Sequence, residues 1–337
     1  MDAVRAIPAT IKASIDDLVE LARPDMSGVD ALIRDRMQSP VAVIPALAEH
    51  LIGGSAKRLR PLLTIAAARI SGARDDACLK LAAAVEFIHT ATLLHDDVVD
   101  SSELRRGKVA AHLIWGAPAS VLVGDFLFAR AFELMVEAGS MQALEILARA
   151  SRVIAEGEVL QLTRAHDLNL PQDVYIEIIS AKTAELFAAA SEAGAVSAGA
   201  SPQQCRALRQ FGQSLGIAFQ LADDSLDYSG ESGELGKNPG DDFREGKATL
   251  PLLLAIARTG ANEKAFWDRT VARLDQTEAD FDRARALIIE TRSLDTTLDL
   301  AHDHADAAKA ELAGFVGNNS WRPALQSLAD FAVSRTM

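Results

Sequence analysis

Two cysteines in 337 residues, Cys78 and Cys205, with no CxxC spacing, leave nothing from which to build a disulfide framework or a zinc site. Both lie on helical patterns and read as reduced, semi-buried side chains. Aromatic residues are only 5% of the chain, against 49% hydrophobic residues rich in alanine and leucine. A core short of rings and rich in small aliphatics favours helices packed on helices. Positive charge is also scarce. The formal net charge is -13, and no lysine–arginine block forms the basic stripe that a phosphate backbone requires, so no nucleic-acid partner is expected. Runs of about 18 apolar residues, the length of a membrane span, are missing too. The N-terminal MDAVRAIPATIKASIDDLVE mixes charge with short apolar runs and has no signal-peptide h-region. The expectation is a cytoplasmic protein without a transmembrane segment.

What the chain does have is helical periodicity. The spacing predicts helices over Pro61 to Ile70, Leu79 to Val99, Ala119 to Glu137, Met141 to Leu162, Val174 to Gly199 and Gln203 to Leu226. Others follow over Leu250 to Arg258, Thr277 to Thr291 and Leu294 to Phe315. No period-2 alternation and no hairpin signal stand out. No composition break marks a linker, so residues 1–337 read as one all-α domain. Three polar interruptions punctuate it: GGSAKRLRP at Gly53 to Pro61, SSELRRGK at Ser101 to Lys108, and the long stretch from Ser229 to Pro251.

Two of the helices end in the same way. LLHDDVVDSSELRRG places Asp96, Asp97 and Asp100 at the end of an apolar run, and FQLADDSLDYSG repeats the spacing with Asp223, Asp224 and Asp227. Aspartates at i, i+1 and i+4 put the first and last carboxylates on one helix face. A single cluster of this kind is usually a solvated surface feature. Two copies, each followed by a loop with lysine or arginine, are hard to obtain that way. Carboxylates at a helix C-terminus oppose the helix dipole, and a divalent cation resolves the conflict. Oxygen donors without a histidine–cysteine set suit magnesium, which takes one or two carboxylates plus water and substrate phosphates. The reading is therefore several Mg2+ ions gripping a diphosphate, about three per active site. Lys57, Arg58, Arg60, Arg105, Arg106, Lys182, Lys237 and Lys247 are the nearby bases available to phosphate oxygens.

At this point the chain resembles the trans-isoprenyl diphosphate synthases, the polyprenyl synthetase family. The matching segments are GGSAKRLRP, EFIHTATLLHDDVVDSSELRRG, SVLVGDFLFARAF, AKTAELFAAA, GIAFQLADDSLDY and LGKNPGDDFREGKATLP. One departure is that GGSAKRLRP is two residues longer than the GGKRLRP of many relatives. The resemblance is closest to the octaprenyl, solanesyl and decaprenyl synthases. It implies a helical bundle of the isoprenoid synthase type with a central cavity, and sequential Mg2+-dependent addition of isopentenyl diphosphate to a farnesyl or geranylgeranyl primer. It implies that all six aspartates hold magnesium against the allylic diphosphate, with Lys182 among the catalytic groups. Arg105 then resembles an allylic-diphosphate ligand. Lys57, Arg60, His89 and Arg106 resemble the isopentenyl diphosphate site. Thr183, Gln220, Lys237 and Lys247, with Lys182, resemble further contacts to the allylic diphosphate or the forming cation. His95 reads as a capping or pairing residue, and Phe219 as core packing with a ring that could also face a carbocation.

The growing chain must run from the diphosphate into the apolar bundle. Ala91 and Thr92, five and four residues before Asp96, are small where short-chain relatives resemble an arrangement with a blocking aromatic. One helical turn advances about 5.4 Å, roughly one isoprene unit, so open turns argue for a long product. Phe128 and Phe132 are candidates for a deeper stop. The product is expected between octaprenyl and decaprenyl, leaning to decaprenyl, as a quinone tail. A terpene cyclase would carry a mixed Asn/Ser/Glu second motif. A non-catalytic subunit would usually have lost an aspartate, and all six are present. The apolar helix Ala119 to Glu137 has more greasy surface than one bundle needs, which favours a homodimer.

Overall fold

The structure, a computed structural model, describes residues 14–52, 58–105, 107–229, 240–316 and 320–334. The helices are α1 (Asp16–Arg36), α2 (Val43–Ile52), α3 (Leu59–Ile70), α4 (Ala77–Val99), α5 (Ala111–Trp115), α6 (Ala117–Glu137), α7 (Met141–Thr163) and α8 (Gln172–Ile179). After them come α9 (Glu185–Ser197), α10 (Pro202–Ser229), α11 (Asp241–Arg244), α12 (Leu250–Thr259), α13 (Lys264–Trp267), α14 (Glu278–Glu290), α15 (Ser293–Glu311) and α16 (Trp321–Ser334). The expected all-α class is what is found.

The centre is built from α3, α4, α9 and α10. Nine of the twelve residues of α3 and ten of the thirteen of α9 are buried, so these helices are surrounded on nearly every side. Alanine makes this possible. Ala66 to Ala68, Ala82 to Ala84 and Ala188 to Ala190 let neighbouring backbones approach closely. Gly194 marks the tightest approach of α9 to α3: a Cβ there would stand 2.3 Å from the Thr64 carbonyl oxygen. α6 packs along α4, and α15 along α10. α4 is long and apolar enough to cross a membrane, yet 67% of its apolar window is buried among other helices, as in a core helix. A second, smaller core is aromatic: Tyr228, Phe243, Phe266 and Trp267 pack with Leu252 and Ile288 under α11 to α14.

Three features differ from the periodicity reading. A two-residue hairpin, β1 (Leu104–Arg105) against β2 (Lys108–Val109), follows the first aspartate motif, where no hairpin was expected. Its strands are too short to alternate, and Gly107 with φ +74 turns the chain. The expected continuous helix Val174 to Gly199 is broken by a π turn over Ser180–Ala184. Such turns insert one extra residue into the helix and often mark functional sites. The longer helices α1, α2 and α16 were not expected. α1 carries Pro24 inside it and still buries Leu18, Ala22, Val29 and Ile33.

Candidate active site

The first motif ends α4. Asp97 is fully buried, and its Oδ1 accepts from Arg105 Nε at 2.7 Å and from Arg105 Nη2. β1 therefore folds the arginine back onto the helix that precedes it. Asp97 Oδ2 is buried without a hydrogen-bond partner. Asp96 and Asp100 are half-buried on the same helix end. Burial pushes the Asp96 carboxyl up to about 7; Lys182 pulls it down, while Glu158 and Asp100 push it further up.

The second motif ends α10 and is held differently. Asp224 Oδ2 accepts from the Tyr175 hydroxyl at 2.5 Å, and Asp224 Oδ1 accepts from Gln220 Nε2 at 2.7 Å. Thr183, in the π turn, donates to Gln220 Oε1 at 2.8 Å. Asp227 receives the backbone N–H groups of Gly240 and Asp241 at 3.0 and 3.2 Å on one oxygen and that of Asp242 at 3.2 Å on the other, so it caps α11. Burial, then Asp242, raises Asp224 to about 7; burial, then Asp242 and Asp241, raises Asp227 to about 8.

Two lysines connect these groups. Lys247 Nζ lies 3.2 Å from Asp100 Oδ2 and 2.5 Å from Glu245. Burial lowers the Lys247 ammonium, but Asp242, Asp100 and Glu245 hold it well above its ordinary value, so it stays charged. Because Asp242 also bears on Asp227, Lys247 joins the environments of the two motifs. Lys182 Nζ bonds Glu158 Oε2 at 2.7 Å and stands close enough to lower Asp96. The π turn therefore aims Lys182 at one motif and Thr183 at the other.

Crowded carboxylates that resist ionisation, an orphaned buried oxygen on Asp97 and oxygen-only chemistry fit a hard divalent cation. Among the described residues no three His, Cys, Asp or Glu side chains already converge on one ion. Magnesium takes the rest of its shell from water and substrate phosphate oxygens.

A sequence model of the polyprenyl synthetase family matches residues 41–288. The chain belongs to that family. A polyprenyl synthase from Caulobacter crescentus CB15, solved with calcium and isoprenyl diphosphate, is 72% identical and superposes with a TM-score of 0.94, covering 97% of this chain and 99% of that one. A decaprenyl diphosphate synthase from Rhodobacter capsulatus is 49% identical, with a TM-score of 0.90 and coverage of 96% and 100%. Octaprenyl diphosphate synthase from Escherichia coli K12 is 43% identical over 96% of this chain and 99% of its own length.

The remaining expected residues of this polyprenyl synthetase fall into three groups. Arg60 and His89 are brought together, Nη1 to Nε2 at 3.1 Å, and the Arg60 guanidinium lies 4.4 Å from the centre of the Phe187 ring. Phe219 packs on Phe187 with ring centres 5.6 Å apart. Arg58, two residues before Arg60 and at the start of α3, pairs with Asp30 on α1. Lys57, Arg106 and Lys237 lie outside the described residues. Of the chain-length positions, Ala91 is buried in α4, and Thr92 turns its hydroxyl back onto the His89 carbonyl at 2.8 Å. Phe128 stacks on His95, one residue from Asp96, so it stands level with the motif rather than deep in the bundle. Phe132 is 43% exposed, away from the α6 face that buries Leu127, Ala131 and Leu134 against the core, so within one chain it forms no floor. His95 reaches the Val121 carbonyl at 3.0 Å and sits where a Cβ on Gly124 would be, which makes it packing between α4 and α6. Glu158 and Tyr175 were missed. A glutamate and a tyrosine on amphipathic helices carry no motif that reveals what they face.

Proposed function

We propose that this polyprenyl synthetase is a long-chain all-trans polyprenyl diphosphate synthase, adding isopentenyl diphosphate head to tail onto a farnesyl or geranylgeranyl diphosphate. The observation that carries this is the pair of aspartate motifs closing α4 and α10, with Lys247 lying between their environments and Lys182 beside Asp96. Octaprenyl and decaprenyl synthases among its relatives support a long product.

In this reading Mg2+, about three ions per site, supplies the positive charge that a departing diphosphate needs. Asp96, Asp100 and Asp223 are half-buried, with Asp100 facing the Lys247 ammonium, and are the carboxylates that would hold the ions. Asp97, Asp224 and Asp227 are engaged by Arg105, by Tyr175 and Gln220, and by the α11 backbone. Lys182, Lys247 and Arg105, with Lys237, stabilise the leaving diphosphate as the allylic C–O bond breaks. Arg60 and His89, with Lys57 and Arg106, hold isopentenyl diphosphate, whose double bond attacks the allylic cation. The new cation loses a proton to the released diphosphate, and no protein nucleophile is needed. The lengthening tail runs past Ala91 and the methyl of Thr92.

α6 leaves Leu122 and Val136 exposed, at 67% and 65%, which favours a homodimer through that helix. Cytoplasmic synthesis of a quinone side chain completes the proposal. The test is purified protein with Mg2+, farnesyl diphosphate and radiolabelled isopentenyl diphosphate, followed by chromatography of the dephosphorylated products. A ladder ending between octaprenyl and decaprenyl is expected. A stop at geranylgeranyl overturns the long-chain assignment, and no incorporation by folded protein overturns the catalytic one.

A further inference from the structure

Tyr175 is one of only two tyrosines in the chain, and nothing in the reaction outlined above uses it. It lies buried on α8, 3% exposed, and its hydroxyl meets Asp224 Oδ2 at 2.5 Å. The other oxygen of Asp224 is held by Gln220, and Gln220 is held by Thr183. The result is a continuous chain, Thr183–Gln220–Asp224–Tyr175, in which every link is a side-chain hydrogen bond. Both of its ends come from one stretch of polypeptide, because α8 runs directly into the π turn that carries Lys182 and Thr183. Its middle comes from the last turns of α10. The chain therefore pins the end of α10 to the π turn.

Asp224 is consequently a strut. Its two oxygens point into the protein, and turning either one outward would leave a buried donor unsatisfied. A phenylalanine at 175 would fill almost the same volume, so the hydroxyl adds a polar link and little packing.

We propose that Tyr175 is a positioning residue for the second aspartate motif. By fixing Asp224 and Gln220 it sets where the end of α10, with Asp223, stands relative to Lys182 on the π turn. The inference rests on reading this site as one for magnesium with a diphosphate.

The test compares the wild-type full chain with Tyr175→Phe. Each is titrated with Mg2+ at fixed inorganic diphosphate, and the thermal midpoint and binding heat are followed. The Mg2+ concentration for half the effect is expected to rise about tenfold, the equivalent of one hydrogen bond to a charged group. In turnover, the Mg2+ half-saturation and kcat change while KM for isopentenyl diphosphate stays at the wild-type value, because Arg60 and His89 are untouched. An unchanged Mg2+ dependence overturns the proposal. So does a loss that shows only as a lower midpoint without metal, which is what a merely structural hydroxyl produces.

Asp224→Asn supplies the second arm. Tyr175→Phe combined with Asp224→Asn is expected to lose no more than the worse single variant, because the two groups act as one unit, and fully additive losses overturn it. The outcomes separate this inference from the function. A tenfold shift in a protein that makes no prenyl product leaves Tyr175 standing and removes the synthase reading. A productive wild type with an indistinguishable Tyr175→Phe does the reverse.

Discussion

At the end of α4, Asp97 is held by a guanidinium; at the end of α10, the aspartate in the same motif position is held by a phenol and a carboxamide. The third aspartates differ as well. Asp100 faces the ammonium of Lys247, whereas Asp227 accepts three backbone N–H groups at the start of α11. One spacing is thus supported by cations in the first copy and mostly by neutral donors in the second. A charged clamp compensates a buried carboxylate directly. A neutral one leaves more of the desolvation cost in place, and a bound cation has correspondingly more to relieve there.

The largest losses are expected where the first aspartate of each motif is removed. Asp96→Ala and Asp223→Ala are each expected to lower kcat by about 10²–10³, the scale of losing one pre-placed electrostatic contact in an active site. Steady-state turnover at saturating Mg2+ checks this. If either variant keeps wild-type kcat, that aspartate is not among the ion-holding groups.

Stability sharpens the contrast between the clamps. Arg105→Ala leaves Asp97, 0% exposed, as an uncompensated buried charge, and a destabilisation of about 3–5 kcal/mol is expected. Gln220→Ala removes one neutral donor from Asp224 and is expected to cost about 1–3 kcal/mol. Denaturant unfolding of the metal-free variants measures both. Equal losses would mean that the charge on the clamp does not matter.

The aspartate spacing was legible in the sequence because i, i+1 and i+4 on a helix has one geometric meaning. What holds those aspartates was not. Tyr175 reaches Asp224 from another helix, and nothing in VYIEII distinguishes a hydroxyl aimed at a carboxylate from one aimed at water. In GGSAKRLRP only the resemblance, and not the residue pattern, singles out Arg60 from Arg58. The left-handed backbone at Arg58, φ 44, makes it the residue where α3 begins, and its side chain pairs with Asp30 while that of Arg60 meets His89. The π turn has no periodic signature, since one inserted residue shifts the register without changing the composition. The all-helical bundle, by contrast, was readable from small aliphatic content and helical spacing alone.

Product length gives a smaller but more specific effect. Thr92→Phe places a ring on the half-buried face of α4 one turn before Asp96. From a farnesyl primer the main product is expected to shorten to about geranylgeranyl, with primer consumption retained. Chromatography of the dephosphorylated prenols reads it directly. Unchanged lengths would show that the tail does not pass this side of α4, and the contrast with buried Ala91 would lose its meaning.

The mildest prediction concerns pH. Without metal, Asp96 and Asp224 stand near 7 and Asp227 near 8, all raised from 3.8. A carboxyl raised on folding binds more protons in the folded state than in the unfolded one. Its contribution to stability is therefore complete below the unfolded value and is lost as pH rises through the folded value. The metal-free protein is expected to lose stability between about pH 4 and pH 8, while the midpoint gained on adding Mg2+ grows over the same interval, because a bound cation favours the ionised carboxyls of the site and protons oppose it. Thermal unfolding with and without Mg2+ at both ends of that interval tests it, and a pH-independent Mg2+ gain would contradict it. Lys182→Met separates the motifs. Removing the ammonium that pulls Asp96 down should carry the Asp96 transition to higher pH, so the pH profile of the Mg2+ gain shifts upward. Gln220→Met removes a neutral hydrogen bond that favours ionised Asp224, and the shift it causes should be smaller. If the two variants move the profile equally, the difference between a charged and a neutral clamp does not reach the metal.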